Sequence, residues 1–319
     1  FVLDTGVLTS HLAFGGRASF AFDALGEGVA GDCSGHGTHV AGTVAGGPYG
    51  VAKGARIRSV RVLDCSGNGS ASSVVAGPDW VIANHDRPSV ANLSLFASPS
   101  SAIDAAVEAA TEHGIVVVAA AGDGGKDACD VSPARAPSAL TVAAVQQDVP
   151  PVVGGTPVDA LAPFSNVGDC VDLVAPGAGI VSAWNTTVVA ELPLSGTSMA
   201  APHVAGAVAL HLSRYPAATP QEVLRALVAS ATRGPAGAPG FTPDRLVYTR
   251  GVELTPADDD VAPTVAIAAP ADGDALAGTV DVTGTASDDY GLTRVELLVD
   301  GRWRGSSDSS PFDIAWDTA

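Results

Sequence analysis

Three short segments hold side chains that could together activate a serine hydroxyl. Residues 2–7 read Val-Leu-Asp-Thr-Gly-Val, residues 35–43 Gly-His-Gly-Thr-His-Val-Ala-Gly-Thr, and residues 195–206 Ser-Gly-Thr-Ser-Met-Ala-Ala-Pro-His-Val-Ala-Gly. A serine is a weak nucleophile until a base within hydrogen-bond reach takes its proton, and that base needs a buried carboxylate to fix its tautomer. Asp4, His36 and Ser198 supply those chemistries in the order Asp, His, Ser, one of the chain orders in which such a constellation occurs. Singly, each has an ordinary structural explanation. Asp before Thr-Gly forms turns, a histidine in a glycine-rich loop is commonly structural, and a serine ahead of an apolar helix caps it. It is the conjunction that points to acyl transfer.

Such a site needs a rigid frame, and the chain between these segments reads as alternating strands and helices. Gly114–Ala120 is a short β-branched apolar run, as in a strand buried on both faces. Residues 101–113 place Ile103, Ala106, Val107 and Ala110 at helical spacing, with Gly114 as the stop. Residues 57–63 and 141–145 are further strand candidates, and residues 198–213 form a long apolar helix that tolerates Pro202 as part of its first turn. Thr219-Pro220-Gln221-Glu222 is a capping box opening a helix over 219–231. The alternation predicts an α/β domain with a mainly parallel sheet.

Composition fits that picture. Hydrophobic residues are 46% of the 319 and charged residues 16%, enough apolar material for a sizeable core. The formal net charge of −18 argues against nucleic-acid or anionic-membrane partners, which need clustered Lys and Arg. No apolar run reaches membrane-spanning length. The chain opens on Phe1 inside an apolar stretch, without Met or a signal peptide, and reads as a fragment or processed form. Residues 250–262 are a Pro- and Asp-containing linker, and residues 263–319 alternate apolar and polar residues between turn signals in an all-β pattern. That second segment resembles the immunoglobulin-like modules of secreted bacterial hydrolases, and is too short for a complete sandwich.

The three motifs match the subtilase family almost letter for letter, so residues 1–249 are identified as a subtilisin-like peptidase domain lacking its N-terminal segment. The resemblance is strongest to the secreted proteinase K and aqualysin branch. It implies a three-layer α/β fold, a secreted monomeric endopeptidase acting on proteins or peptides, and an N-terminal propeptide outside this chain. Asp4, His36 and Ser198 become the catalytic triad, while His39 and His203 are structural companions. The N-terminus of the helix bearing Ser198 would face the developing oxyanion.

Two departures from the family pattern bear on activity. The family's Ala-Ala-Gly-Asn, whose Asn donates to the oxyanion, reads Ala120-Ala121-Gly122-Asp123 here. A carboxylate accepts only, and loss of this donor is known in subtilisin to cost about a hundred- to thousandfold in turnover. Burial could keep Asp123 neutral and able to donate. The substrate-binding edge Ser94-Leu95-Phe96-Ala97 carries Phe96 and Ala97 where the family has two glycines, so a narrowed or closed S1 pocket is expected, opposite the wall Ala120-Ala121-Gly122. A catalytically impaired homologue that binds polypeptide without cutting it is the alternative reading.

Cys33, Cys65, Cys129 and Cys170 lack the close spacing of a zinc site, and four cysteines allow three disulfide pairings. The family resemblance selects Cys33–Cys65 and Cys129–Cys170, with an insertion at 149–158 in the second loop. It also implies a structural calcium ion on the carbonyls of Pro137 and Ala139 and the carboxylate of Asp172. The plainer alternative for Asp172 is a turn cap before Ala175-Pro176-Gly177.

Overall fold

The β-branched run ahead of Ala121 is a central strand in the computed structural model, which describes residues 1–147, 159–233, 245–247, 264–287, 295–300, 302–307 and 309–318. Among the described residues, ten strands form the main sheet: β1 (Val2–Asp4), β2 (Ala18–Asp23), β3 (Ile57–Arg61), β4 (Val90–Leu93), β5 (Val116–Ala120), β6 (Leu140–Gln147), β7 (Asp159–Leu161), β8 (Leu173–Pro176), β11 (Thr232–Arg233) and β12 (Arg245–Leu246). Strands β9 (Ile180–Ala183) and β10 (Glu191–Leu194) make a separate antiparallel pair. The main order is β11-β12-β8-β6-β5-β4-β1-β3-β2, with β7 paired to β6. Every pairing along it from β12 to β2 is parallel.

The sheet is covered on both faces, which is why its strands are apolar without strict alternation. Val116, Val118 and Ala120 of β5 point to the layer of α1 (His36–Ala45), α4 (Thr197–Arg214) and α5 (Pro220–Ser230). Val117 and Ala119 point to that of α2 (Ala71–Asn84) and α3 (Ser101–Glu112). The result is the expected three-layer subtilisin-like architecture. Helix α3 ends at Glu112 with Gly114 at φ +82°, and α5 opens on the predicted box, Thr219 and Glu222 capping each other's backbone. The disulfides are Cys33–Cys65 and Cys129–Cys170. The 149–158 insertion and the 250–262 linker lie outside the described residues.

One helix departs from expectation. Helix α4 begins at Thr197, which puts Pro202 in its second turn, where a missing N–H does cost a helical hydrogen bond.

The chain divides into two units, Phe1–Glu253 and Leu254–Ala319. In the second, β13 (Thr264–Ala269), β14 (Thr279–Ser287) and β17 (Phe312–Asp317) form one antiparallel sheet, and β15 (Val295–Val299) and β16 (Arg302–Ser307) a hairpin. Val282, Phe312 and Ile314 are its buried centre. Among the described residues no helix is long and apolar enough to cross a membrane.

Candidate active site

Asp4 ends β1, which lies between β3 and β4, and its side chain is fully buried. Its Oδ1 accepts from the Thr5 N–H at 2.7 Å and lies 2.7 Å from His36 Nδ1. That contact requires a proton on His36 Nδ1 and leaves Nε2 free to act as a base. His36 is the first residue of α1, so its ring leaves the helix end toward β1. The close approach depends on Gly37, because a Cβ there would collide with the Gly6 carbonyl oxygen and crowd the Asp4 side chain.

A carboxylate that sequence reading overlooked secures this helix end. Asp32 Oδ1 accepts from the Thr5 hydroxyl (2.9 Å), Ser34 N–H (3.0 Å) and Gly35 N–H (2.8 Å). Its Oδ2 accepts from the Thr38 N–H (2.9 Å) and hydroxyl (2.6 Å). A negative group here satisfies orphan N–H groups of the first turn and complements the helix dipole. The signal was available in Asp32 standing three residues ahead of Gly35, a cap position that has no side chain of its own.

Electrostatics follow from this geometry. Burial by itself would push the His36 imidazole down, but the charge and hydrogen bond of Asp4, with smaller contributions from Asp32 and Asp123, hold it above the ordinary histidine value. His39, one turn further along, is the reverse case: burial pushes it down to about 4. Its Nε2 lies 2.9 Å from the Ile180 carbonyl and 3.0 Å from the Leu192 carbonyl, so it is a neutral donor tying α1 to β9 and β10. His203 is likewise inside its helix, with Nδ1 2.9 Å from the Met199 carbonyl and its pKa lowered by burial.

Ser198 is the second residue of α4 and 8% exposed. Its hydroxyl donates to the Ser94 carbonyl at 3.2 Å rather than to His36. The turn ahead of it is tied to the loop after β5: the Gly122 N–H donates to the Thr197 hydroxyl at 3.0 Å, and Asp123 Oδ1 accepts from the Thr197 N–H at 2.7 Å. Asp123 therefore caps the serine helix, for which Gly196 offers no side chain. The residue is exposed. Gly122 sits at φ +99°, and a Cβ there would strike the Asn166 amide. Asn166 is a further residue the sequence did not announce. It donates to the Ala121 carbonyl and accepts from the Gly124 and Lys126 N–H groups, shaping the loop that carries Asp123.

The two expected substrate walls follow adjacent parallel strands. Ser94 and Leu95 are buried after β4, and Ala120, Ala121 and Gly122 are buried at the end of β5. Ala97 pairs with Ser132 in both directions, at 2.8 and 3.0 Å. Phe96 is 48% exposed, so its ring lies at the surface of this edge. Asp172 Oδ2 accepts from the Thr141 N–H at 2.7 Å, two residues along the chain from Ala139, and Ala175-Pro176 belong to β8. Asp172 thus clamps the start of β6. Among the described residues, no group of three or more His, Cys, Asp or Glu could hold a metal ion.

Fold and motifs agree with known proteins. Residues 2–249 match the Subtilase family, and residues 263–319 match the Bacterial Ig domain. An extracellular serine proteinase of Thermus sp. (strain Rt41A) is 51% identical over 251 residues, 78% of this chain and 59% of that protein. The alkaline serine exoprotease A of Vibrio alginolyticus is 44% identical over 81% of this chain and 46% of its own length. The crystal structure of a cold-adapted subtilisin-like serine proteinase superposes with a TM-score of 0.71 at 44% identity, over 78% of this chain and 87% of that one. The chain belongs to the subtilase family. Its match spans about half the length of these curated relatives.

The His39 geometry predicts a pH-dependent contribution to stability. Its folded pKa is depressed, so the unfolded chain binds a proton that the fold excludes, and stability falls as pH drops from the ordinary histidine value toward about 4. Urea midpoints measured across this window should fall more steeply in the parent than in His39→Gln, which keeps a side-chain donor and does not titrate.

Proposed function

We propose that this chain is the peptidase portion of a secreted serine endopeptidase, hydrolysing peptide bonds in proteins through an acyl-enzyme on Ser198. The observation that carries this reading is the fully buried Asp4 carboxylate 2.7 Å from His36 Nδ1, in a member of the subtilase family. Ser198 Oγ attacks the scissile carbonyl carbon as His36 Nε2 takes the hydroxyl proton. The same nitrogen delivers that proton to the departing amine as the C–N bond breaks. Water, deprotonated in turn by Nε2, releases the acyl group as a carboxylic acid. Asp4 orients the ring and stabilises the imidazolium. Export is supported by the extracellular proteinase among the relatives and by two disulfides.

Turnover in this reading is reduced by Asp123. The Thr197 N–H is taken by Asp123, which leaves the Ser198 N–H to serve the oxyanion, while Asp123 brings an acceptor carboxylate close to it. The exposed Phe96 ring is free to meet a P1 side chain and favours small ones. The exposed, accepting carboxylate also supports the second reading, a homologue that binds polypeptide and cuts poorly.

Asparagine at 123 could keep the cap on Thr197 through its Oδ1 and place an N–H₂ where Oδ2 now stands. Asp123→Asn should therefore raise kcat by about a hundredfold. It should also move the acid limb of kcat/KM to lower pH, since one negative charge acting on His36 is removed. Ser198→Ala should abolish casein hydrolysis. Ser198-independent turnover, or none between about pH 5 and pH 9, would leave the binding reading in its place.

A structural calcium ion is part of the same proposal. The Pro137 and Ala139 carbonyls and the Asp172 carboxylate are all hard oxygen donors, and the bond from Asp172 to Thr141 keeps that carboxylate beside the 137–141 turn. One carboxylate and two carbonyls fill only part of a calcium shell, so water would complete it. Calcium at saturating concentration should raise Tm by about 5 °C or more over chelated protein, and Asp172→Asn should remove most of that difference.

A further inference from the structure

Pro202 breaks a hydrogen bond at a consequential place. In an α-helix the N–H of residue i donates to the carbonyl of residue i−4, so the donor missing at Pro202 is the one that would serve the carbonyl of Ser198. The proline ring also crowds that carbonyl. The serine expected to react therefore stands on a peptide group whose oxygen has lost its helical partner, inside a buried turn. An unpaired buried carbonyl costs enough to be rare in folded proteins.

The missing donor comes from the segment after β4. Ser94 Oγ, just beyond β4, donates to the Ser198 carbonyl at 2.7 Å, although Ser94 and Ser198 are 104 residues apart. Its direction is fixed by Asn92, whose Nδ2 donates to Ser94 Oγ at 2.9 Å. A hydroxyl has one proton. Once Asn92 fills a lone pair of Ser94 Oγ, that proton is left for the Ser198 carbonyl. Turning the Asn92 amide over would set two acceptors against the single proton. Asn92 and Ser94 are 1% and 2% exposed, so water does not compete.

We propose that Ser94 is a positioning residue for the nucleophile, with Asn92 as its orienter: together they replace the hydrogen bond deleted by Pro202 and fix the Ser198 peptide against β4. The role is separate from substrate binding, because it uses the Ser94 hydroxyl rather than the backbone of the 94–97 edge. It rests on the reading of Ser198 as nucleophile. The Ser94 carbonyl, which accepts the Ser198 hydroxyl at 3.2 Å, makes a second tie between the same two residues. Held at its carbonyl and at its side chain, Ser198 has little freedom to shift, and its Cα and Oγ keep their place beside β4.

A double-mutant cycle tests this in the full chain, because Pro202→Ala supplies the helical donor that the parent lacks. Ser94→Ala should lower kcat by about tenfold to a hundredfold, as for loss of a donor to a buried carbonyl, with KM within about twofold of the parent. Ser94→Thr should retain most of kcat. Adding Pro202→Ala to Ser94→Ala should restore at least half the lost turnover, and the loss of Tm from Ser94→Ala should be smaller in the Pro202→Ala background. Equal effects of Ser94→Ala in both backgrounds, on kcat and on Tm, would overturn the proposal. If the parent itself shows no Ser198-dependent turnover, the reading of the active site has failed instead, and the Tm cycle still decides whether Ser94 replaces the Pro202 donor.

Discussion

Burying a carboxylate away from water is expensive unless a partner of matching charge and strong donors surround it. Asp4 meets that requirement narrowly: Oδ1 takes the Thr5 N–H and faces His36 Nδ1, while Oδ2 is buried without a partner. Such a site discriminates between the two states of the imidazole. A neutral ring leaves the carboxylate short of positive charge, and a protonated ring supplies it. The preference is largest at the moment a reacting serine hands over its proton, which is when a base is most useful. The remainder of the site can be understood as what keeps His36 at 2.7 Å from Asp4.

Parallel topology does most of that work. Strands β1, β4 and β5 are neighbours pointing the same way, so the residues that follow them emerge at one edge of the sheet. Asp4 ends β1, Ser94 follows β4, and Gly122 and Asp123 follow β5. Helices α1 and α4 begin at that edge with His36 and Thr197-Ser198, and borrowed carboxylates cap both, Asp32 for α1 and Asp123 for α4. Each cap adds negative charge near His36 and so reinforces the effect of Asp4. The capping that builds the site and the electrostatics that tune it are the same interactions.

Much of this was legible from sequence, for physical reasons that differ by residue. The three motif segments could be read because they need particular residue types at particular places, with Gly37 set where no Cβ can fit. The strand Val116–Ala120 could be read because burial on both faces forces an unbroken apolar run. Asp32 and Asn166 could not, since a single polar residue in a loop has no periodicity, and Asn92 could not, since one polar residue within a short strand does not announce a partner. The place of Pro202 in α4 was misjudged for a related reason: a helix that borrows its cap from Asp123 carries no N-cap side chain at Gly196 to mark its start.

Direct titration of the His36 ring by NMR, in full chain carrying Ser198→Ala so that it cannot digest itself, reaches the central relation without any assay of turnover. Half-buried beside Asp4, His36 should titrate above the ordinary histidine value, with its Nδ1 proton slow to exchange. Asp4→Asn should then bring the titration down, as burial prevails once the charge is gone. A His36 titrating at or below the ordinary value, and indifferent to Asp4→Asn, would contradict the account, because the buried carboxylate would then not be setting the protonation of the base.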